Sequence, residues 1–271
     1  MTLLLTGATG LVGARLLPRL LQAGHDCRVL MRAGKTAPKG ATSVEGDLFD
    51  AGALRDAVDG VTAIIHLAAI FRTLDNDLIW KSNLDGTRNL VEAAKAHAAE
   101  ARFILASTSN IYGEEGRHPG RETDAVDPAH AYPASKLAAE ALVRESGLTW
   151  SILRFSFVYG DGDGHLEALP NRILQTGWHP AKRMSLVHHR DIATAVKLAL
   201  TGALDGKIVN VADDAPTSMY ELVRLAGAEM EPSSEPLTHP WHLVVDNTSA
   251  RDLGFHPEIR TVYQAMQNKL L

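Results

Sequence analysis

The amino-acid sequence predicts an α/β fold built on a doubly wound parallel sheet. Short apolar runs such as "TLLLT", "CRVLM" and "RFILAS" are continuous rather than alternating, as in strands covered on both faces. Amphipathic helical segments separate these runs in regular succession. A glycine turn, "TGATGLVG", joins the first run to the first helix.

Taken in order, "TLLLT" is the first strand and leads straight into that turn. In "LVGARLLPRLLQAG", Val12, Leu16, Leu17, Leu20 and Leu21 recur at helical spacing, and Gly24 closes the helix as a C-terminal cap. "CRVLM" is the second strand, Asp50 to Val58 a short helix, and "VTAIIHLAA" a third strand running into a loop. "NLDGTRNLVEAAKAHAA" reads as a long helix, "RFILAS" as a strand, Pro133 to Arg144 as a helix and "TWSILRFSFV" as a further strand. Beyond "VYGDGDG" the alternation loosens. A helix over Leu166 to Leu174 precedes "SLVHHRDIATAVKLAL", the strand "KIVNVA", the helix "SMYELVRLAGAEM" and a last helix near Thr261 to Leu271. Residues 1–160 are expected to form the main core, and 161–271 a mixed segment that builds a small substrate lobe and completes the core.

Composition narrows the function classes. With 27 Lys and Arg against 32 Asp and Glu the formal charge is -5 and no basic run stands out, which argues against a nucleic-acid surface. No apolar run approaches the eighteen or so residues a membrane helix needs. The N-terminus lacks a basic start, and the one cysteine, Cys27, has no internal disulfide partner, so a cytoplasmic location is the expectation.

Gly7, Gly10 and Gly13 lie between a buried strand and a helix whose first turn carries no acid. Free amides at such a helix start, with the helix dipole, suit a pyrophosphate, and the glycines allow it to approach closely. The turn therefore points to a dinucleotide, with Leu11 and Val12 among its contacts. The second strand ends in "VLMRAG", placing Arg32 where many such sites carry an acid for the ribose 2'-hydroxyl. An arginine there accommodates a 2'-phosphate, so NADP is the expected cofactor, with NAD as the alternative. Arg15 is either a second contact or plain surface. Asp47 in "EGDLFD" is either an acceptor for the adenine amino group or a helix N-cap.

In "AYPASKLAAEAL", Tyr132 and Lys136 are four residues apart and share one helical face. A phenol is a poor base at neutral pH, and an adjacent ammonium favours its ionised form. Such a phenol can exchange the hydroxyl proton while a hydride moves between substrate carbon and nicotinamide. Ser107, Thr108 and Ser109 end the "RFILAS" strand at the carboxyl edge, where sheets of this kind bind ligands.

These segments together resemble the extended short-chain dehydrogenase/reductase family, in particular its epimerase and dehydratase branch. "TGATGLVG", "GDLFD", "IIHLAA", "NLDGTRNLVEAA", "ASTSNIYG", "YPASK", "LRFSFVYG", "LVHHRDIATAV" and "ARDLGFHP" follow in family order. The resemblance implies a Rossmann-type sheet with a small C-terminal substrate lobe, and catalysis by Thr108, Tyr132 and Lys136, with Ser107 as the fallback for Thr108. It also implies that Leu48, His66, Leu67, Ala68 and Ala69 line the cofactor, that Lys136 contacts the nicotinamide ribose, and that Asn83 supports the site. A homodimer through the two alanine-rich helices is expected as well. Departures from the family concern the substrate. Phe157 stands where nucleotide-sugar enzymes often carry asparagine, Asp161 follows Gly160 in place of proline, and Arg183 lies one position from the usual phosphate-clamping arginine, where Met184 stands. Ser109, Phe157 and Arg183 are the substrate-side candidates.

The leading reading is an NAD(P)-dependent oxidoreductase that interconverts a secondary alcohol and a carbonyl on a small-molecule substrate. The alternatives are a nucleotide-sugar epimerase or dehydratase, and a catalytically silent dinucleotide-binding regulator. No metal is expected, because His188 and His189 are adjacent and would point to opposite faces of a strand. Asp161 and Asp163 are expected to shape a turn. Trp178 and Trp241 either wall the pocket or pack the lobe, and Arg154 either meets substrate or neutralises a nearby acid.

Overall fold

A computed structural model covers residues 1–271. The chain runs β1 (Thr2–Thr6), α1 (Gly13–Gln22), β2 (Asp26–Met31), β3 (Thr42–Glu45), α2 (Ala51–Val58), β4 (Ala63–His66) and α3 (Asn76–Trp80). It continues through α4 (Gly86–His97), β5 (Arg102–Thr108), α5 (Ala131–Arg144), β6 (Trp150–Phe155), β7 (Phe157–Tyr159) and α6 (Leu169–Thr176). The remainder is β8 (Arg183–Met184), β9 (Leu186–His188), α7 (His189–Leu200), β10 (Lys207–Val211), β11 (Thr217–Ser218), α8 (Met219–Leu225), α9 (Thr248–Asp252) and α10 (Val262–Gln267).

Seven strands form one sheet in the order β10-β6-β5-β4-β1-β2-β3, with every neighbouring pair parallel. Strand order reverses between β1 and β4, so the carboxyl ends of these two strands open the crevice in which such sheets bind ligands. The continuous apolar runs are explained by burial on both faces. Leu3 and Leu5 belong to the core under α1 and α7, while Leu4 between them belongs to the core under α2, α4 and α5. All three leucines are fully buried, and burying each contributes about 1.5–3 kcal/mol. A third core, containing Tyr159, Leu169, Met184, Met219 and Val262, packs the lobe beside the sheet.

The structure departs from the sequence reading in several places. "TWSILRFSFV" is not one strand: it divides at Ser156 into β6 in the main sheet and β7, which pairs with β9 in the lobe. The expected helix over "NLDGTRNLVEAAKAHAA" begins earlier, at Asn76, and passes through a π turn at Lys81–Asp85. The helix of "AYPASK" starts at Ala131 rather than Pro133, which puts Tyr132 inside its first turn.

Candidate active site

The glycine turn is built as the sequence implies. Gly7 has φ +72°, and a Cβ there would come within 2.8 Å of the Ala68 amide nitrogen at the end of β4. A Cβ on Gly13 would lie 2.2 Å from the Gly7 carbonyl oxygen, so only glycine lets α1 start this close to β1. The amides of Leu11, Val12 and Gly13 make no backbone hydrogen bond, and the first turn of α1 contains no acid. These free donors line a cleft of about 930 Å³ that also contains Leu67, Ala69, Thr108, Tyr132 and Lys136. Free amides at a helix start of this kind suit a phosphate group.

The three catalytic candidates meet at the carboxyl edge. Thr108 ends β5, and its Oγ1 accepts the Asn110 amide at 3.1 Å, which leaves the hydroxyl proton free to donate into the cleft. Tyr132 and Lys136 stand one turn apart on α5. Burial pushes the Tyr132 phenol up to about 12, an effect that the facing Thr108 partly offsets. Burial pushes the Lys136 ammonium down to about 8, against the pull of Glu140. Burial and Thr108 account for the shift of the phenol, and the acidifying effect expected from the lysine does not enter it.

Ser107, the fallback, is engaged elsewhere. Its hydroxyl donates to Glu140 at 2.5 Å, and both Glu140 oxygens accept from Arg154, at 3.1 and 2.7 Å. Arg154 also donates to the Tyr112 hydroxyl at 2.9 Å, which in turn donates to Asn210 at 2.8 Å. Arg154 thus neutralises an acid beneath the site.

A second buried network joins the cofactor cradle to α5. Thr6 Oγ1 lies 2.6 Å from His66 Nδ1, and His66 Nε2 lies 2.9 Å from Thr87 Oγ1, which donates to the Asn83 carbonyl at 2.6 Å. Thr87 has spent its proton, so His66 Nε2 must be the donor toward it and Nδ1 the acceptor from Thr6. Burial, with the nearby Lys136 charge, lowers His66 to about 3 and keeps the ring neutral. The Asn83 side chain holds the Ile70 backbone at both ends, at 2.8 and 2.9 Å, and donates to Ser135 Oγ, which donates to the Tyr132 carbonyl. With its side chain tied to Ile70 and Ser135, Asn83 is a positioning residue.

Other candidates also move. Arg32 is exposed just beyond β2, beside the glycine turn. Asp47 accepts the Phe49 amide at 2.7 Å, and the N-cap of α2 is Asp50 instead. Leu48 is buried, with its side chain packed against Gly86 of α4. Arg15 donates to the Asp161 carbonyl at 3.1 and 3.2 Å, so it is not plain surface. Ser109 and Phe157 line the cleft, whereas Arg183 is exposed and lies over Trp241 at 5.5 Å, outside it. Trp178 lines the cleft. His188 bonds the Leu270 carbonyl and His189 bonds Asp163 at 2.8 Å, so each histidine has its own protein partner. Sequence reasoning missed Arg72, His165 and Arg172, all of which line the cleft. They sit on separate loops and a lobe helix with no local pattern to mark them.

The fold and the cleft define a Rossmann-type protein of the short-chain dehydrogenase/reductase kind. The chain belongs to the NAD dependent epimerase/dehydratase family, whose model matches residues 3–212. It is 32% identical over 168 residues to the uncharacterised protein y4nG of Sinorhizobium fredii, covering 59% of this chain and 42% of that one. It is 28% identical over 255 residues to 3 beta-hydroxysteroid dehydrogenase/Delta 5-->4-isomerase of Mycobacterium tuberculosis, covering 82% of this chain and 67% of that protein. The chain therefore spans less than half the length of the first of these relatives and about two thirds of the second. A crystal structure of a short-chain dehydrogenase/reductase superfamily protein from Agrobacterium tumefaciens with bound NAD superposes with a TM-score of 0.82 at 26% identity, covering 99% of this chain and 95% of that one.

Proposed function

We propose that this protein is an NAD(P)-dependent oxidoreductase that interconverts a secondary alcohol and a carbonyl. The observation that carries the reading is the convergence of Thr108, Tyr132 and Lys136 on the cleft that holds the free amides of the glycine turn. The nicotinamide, when bound, accepts or supplies the hydride. Thr108 donates a hydrogen bond to the substrate oxygen and aligns it with the phenol. Tyr132, held protonated by burial, donates its proton to that oxygen as a carbonyl is reduced and recovers it in oxidation. Lys136 stabilises the phenolate left behind and orients the cofactor ribose.

Arg32 supports a preference for NADP. It is exposed beside the turn and makes no hydrogen bond or ion pair in the protein, so its guanidinium is free for a 2'-phosphate. Against a panel of ketones, Tyr132→Phe should lose about 10²–10⁴-fold in kcat with cofactor affinity retained. Arg32→Ala should weaken NADPH binding about tenfold or more while leaving NADH binding little changed. Retention of full turnover by the phenylalanine variant would remove Tyr132 from the mechanism. The family name favours a second reading, an epimerase or dehydratase in which the hydride leaves and returns within one cycle. That reading requires NAD to co-purify near one per chain, measurable by mass spectrometry after denaturation. We also expect residues 161–271 to behave as the substrate lobe, and the chain to work as a cytoplasmic homodimer.

A further inference from the structure

We propose that the substrate carries a compact anionic group, a carboxylate or a phosphate, which Arg72 and Arg172 grip beside the reacting oxygen. The proposal rests on the oxidoreductase reading of the cleft and adds the substrate class. Arg72 follows β4 on the loop that also supplies Phe71, and Arg172 lies on α6 across the cleft. Neither guanidinium forms an ion pair with a carboxylate, whereas eight of the other sixteen arginines do. They are close enough that, after burial, the charge of Arg72 is what depresses Arg172. Two unneutralised cations facing one cavity repel each other, and an anion between them turns that repulsion into two charge-assisted bonds.

Both guanidiniums are held for this task. Arg72 lies over the Phe71 ring at 4.9 Å, and Arg172 over the Trp178 ring at 5.6 Å. An aromatic face fixes the plane of a guanidinium and leaves its N–H edge free for a planar or tetrahedral anion. Arg72 spends one N–H on Nε2 of His165, which donates through Nδ1 to the Val158 carbonyl at 3.0 Å, and its remaining N–H groups are left for an anion. The acids that line the cleft are Glu114 and Asp127, and Glu114 faces His242 at 3.3 Å. Distance to the chemistry is short, because the Phe71 ring lies 5.3 Å from that of Tyr132. Both arginines are also open to water, so selection comes from the charge-assisted bonds that an anion gains there and a neutral alcohol does not, and the site favours hydroxy or keto compounds bearing an anion.

The test uses the full chain and the variant Arg72→Met/Arg172→Met, with unfolding curves to confirm that both are folded. Calorimetric titration with inorganic phosphate and with malonate reads the site without turnover. Wild type should bind one of them about tenfold or more tighter than the double variant, and the glycine turn contributes equally to both proteins. Reduction of matched pairs then separates the sources: 4-oxopentanoate against its methyl ester, and dihydroxyacetone phosphate against dihydroxyacetone. The anionic member should be favoured about tenfold or more in kcat/KM, mainly through KM, and that ratio should collapse in the double variant. Equal anion binding by both proteins would overturn the proposal, as would a selectivity ratio that survives the substitutions. Anion binding lost in the variant, with no ketone reduced by wild type, would keep the subsite and reject the oxidoreductase reading. Ketone reduction that depends on Tyr132, without anion preference, would do the reverse.

Discussion

Replacing Lys136 by methionine should stabilise the fold while abolishing turnover. Lys136 is 2% exposed, and burial lowers its ammonium from an ordinary 10.5 to about 8. At roughly 1.4 kcal/mol per pH unit, the buried charge costs about 3 kcal/mol at neutral pH. The sign follows from proton binding. Between pH 8 and 10.5 the unfolded chain holds this proton and the folded chain does not, so stability rises with pH across that window. Below pH 8 both states hold it and the full cost is present. Methionine keeps the length and apolar stem of the lysine, and Glu140 remains paired with Arg154 and Ser107. Thermal unfolding of wild type and Lys136→Met at pH 7 should therefore show the variant higher by several degrees, at about 2–4 °C per kcal/mol. The gap should shrink toward zero as pH approaches 10.5. A variant that melts below wild type at pH 7, or a gap that does not change with pH, would refute the desolvation argument.

Two further outcomes test the site from other sides. Thr108→Ala should cost about 10²-fold or more in kcat, whereas Ser107→Ala should act chiefly on stability, by about 1–3 kcal/mol, because it strips a donor from buried Glu140. Steady-state kinetics and urea unfolding on the same pair separate the roles, and interchange of the two effects would reverse the assignment. Gly13→Ala should lose dinucleotide binding in fluorescence titration, since its Cβ would sit 2.2 Å from the Gly7 carbonyl oxygen. Undiminished binding would mean that the turn is not the cradle.

The sheet was legible because its strands are buried on both faces and therefore read as unbroken apolar runs. The same property hid the division at Ser156, where apolar residues continue while the chain passes from one sheet to another. Tyr132 and Lys136 stood out because helical geometry ties their spacing to a shared face. Thr108 stood ahead of Ser107 through the family motif alone; the physical difference between them, the bond that ties Ser107 to Glu140, spans thirty-three positions and has no local sign. Arg183 was placed by its motif neighbourhood, but the face of Trp241 draws it out of the cleft. Arg72 and Arg172 come together only through tertiary packing, so no window of sequence contains both.

The π turn at Lys81–Asp85 has a consequence for how this chain can vary. A π turn takes in one residue more than an α-helix does, and each residue of an α-helix advances the face by about 100°. Deleting one residue there would restore a regular helix and swing Asn83 away from Ile70 and Ser135, while α4 kept its packing. The helix would survive and the tie to the tyrosine would not. Length, as much as side-chain identity, is constrained in those five positions, so homologous chains that keep the tie should align there without gaps.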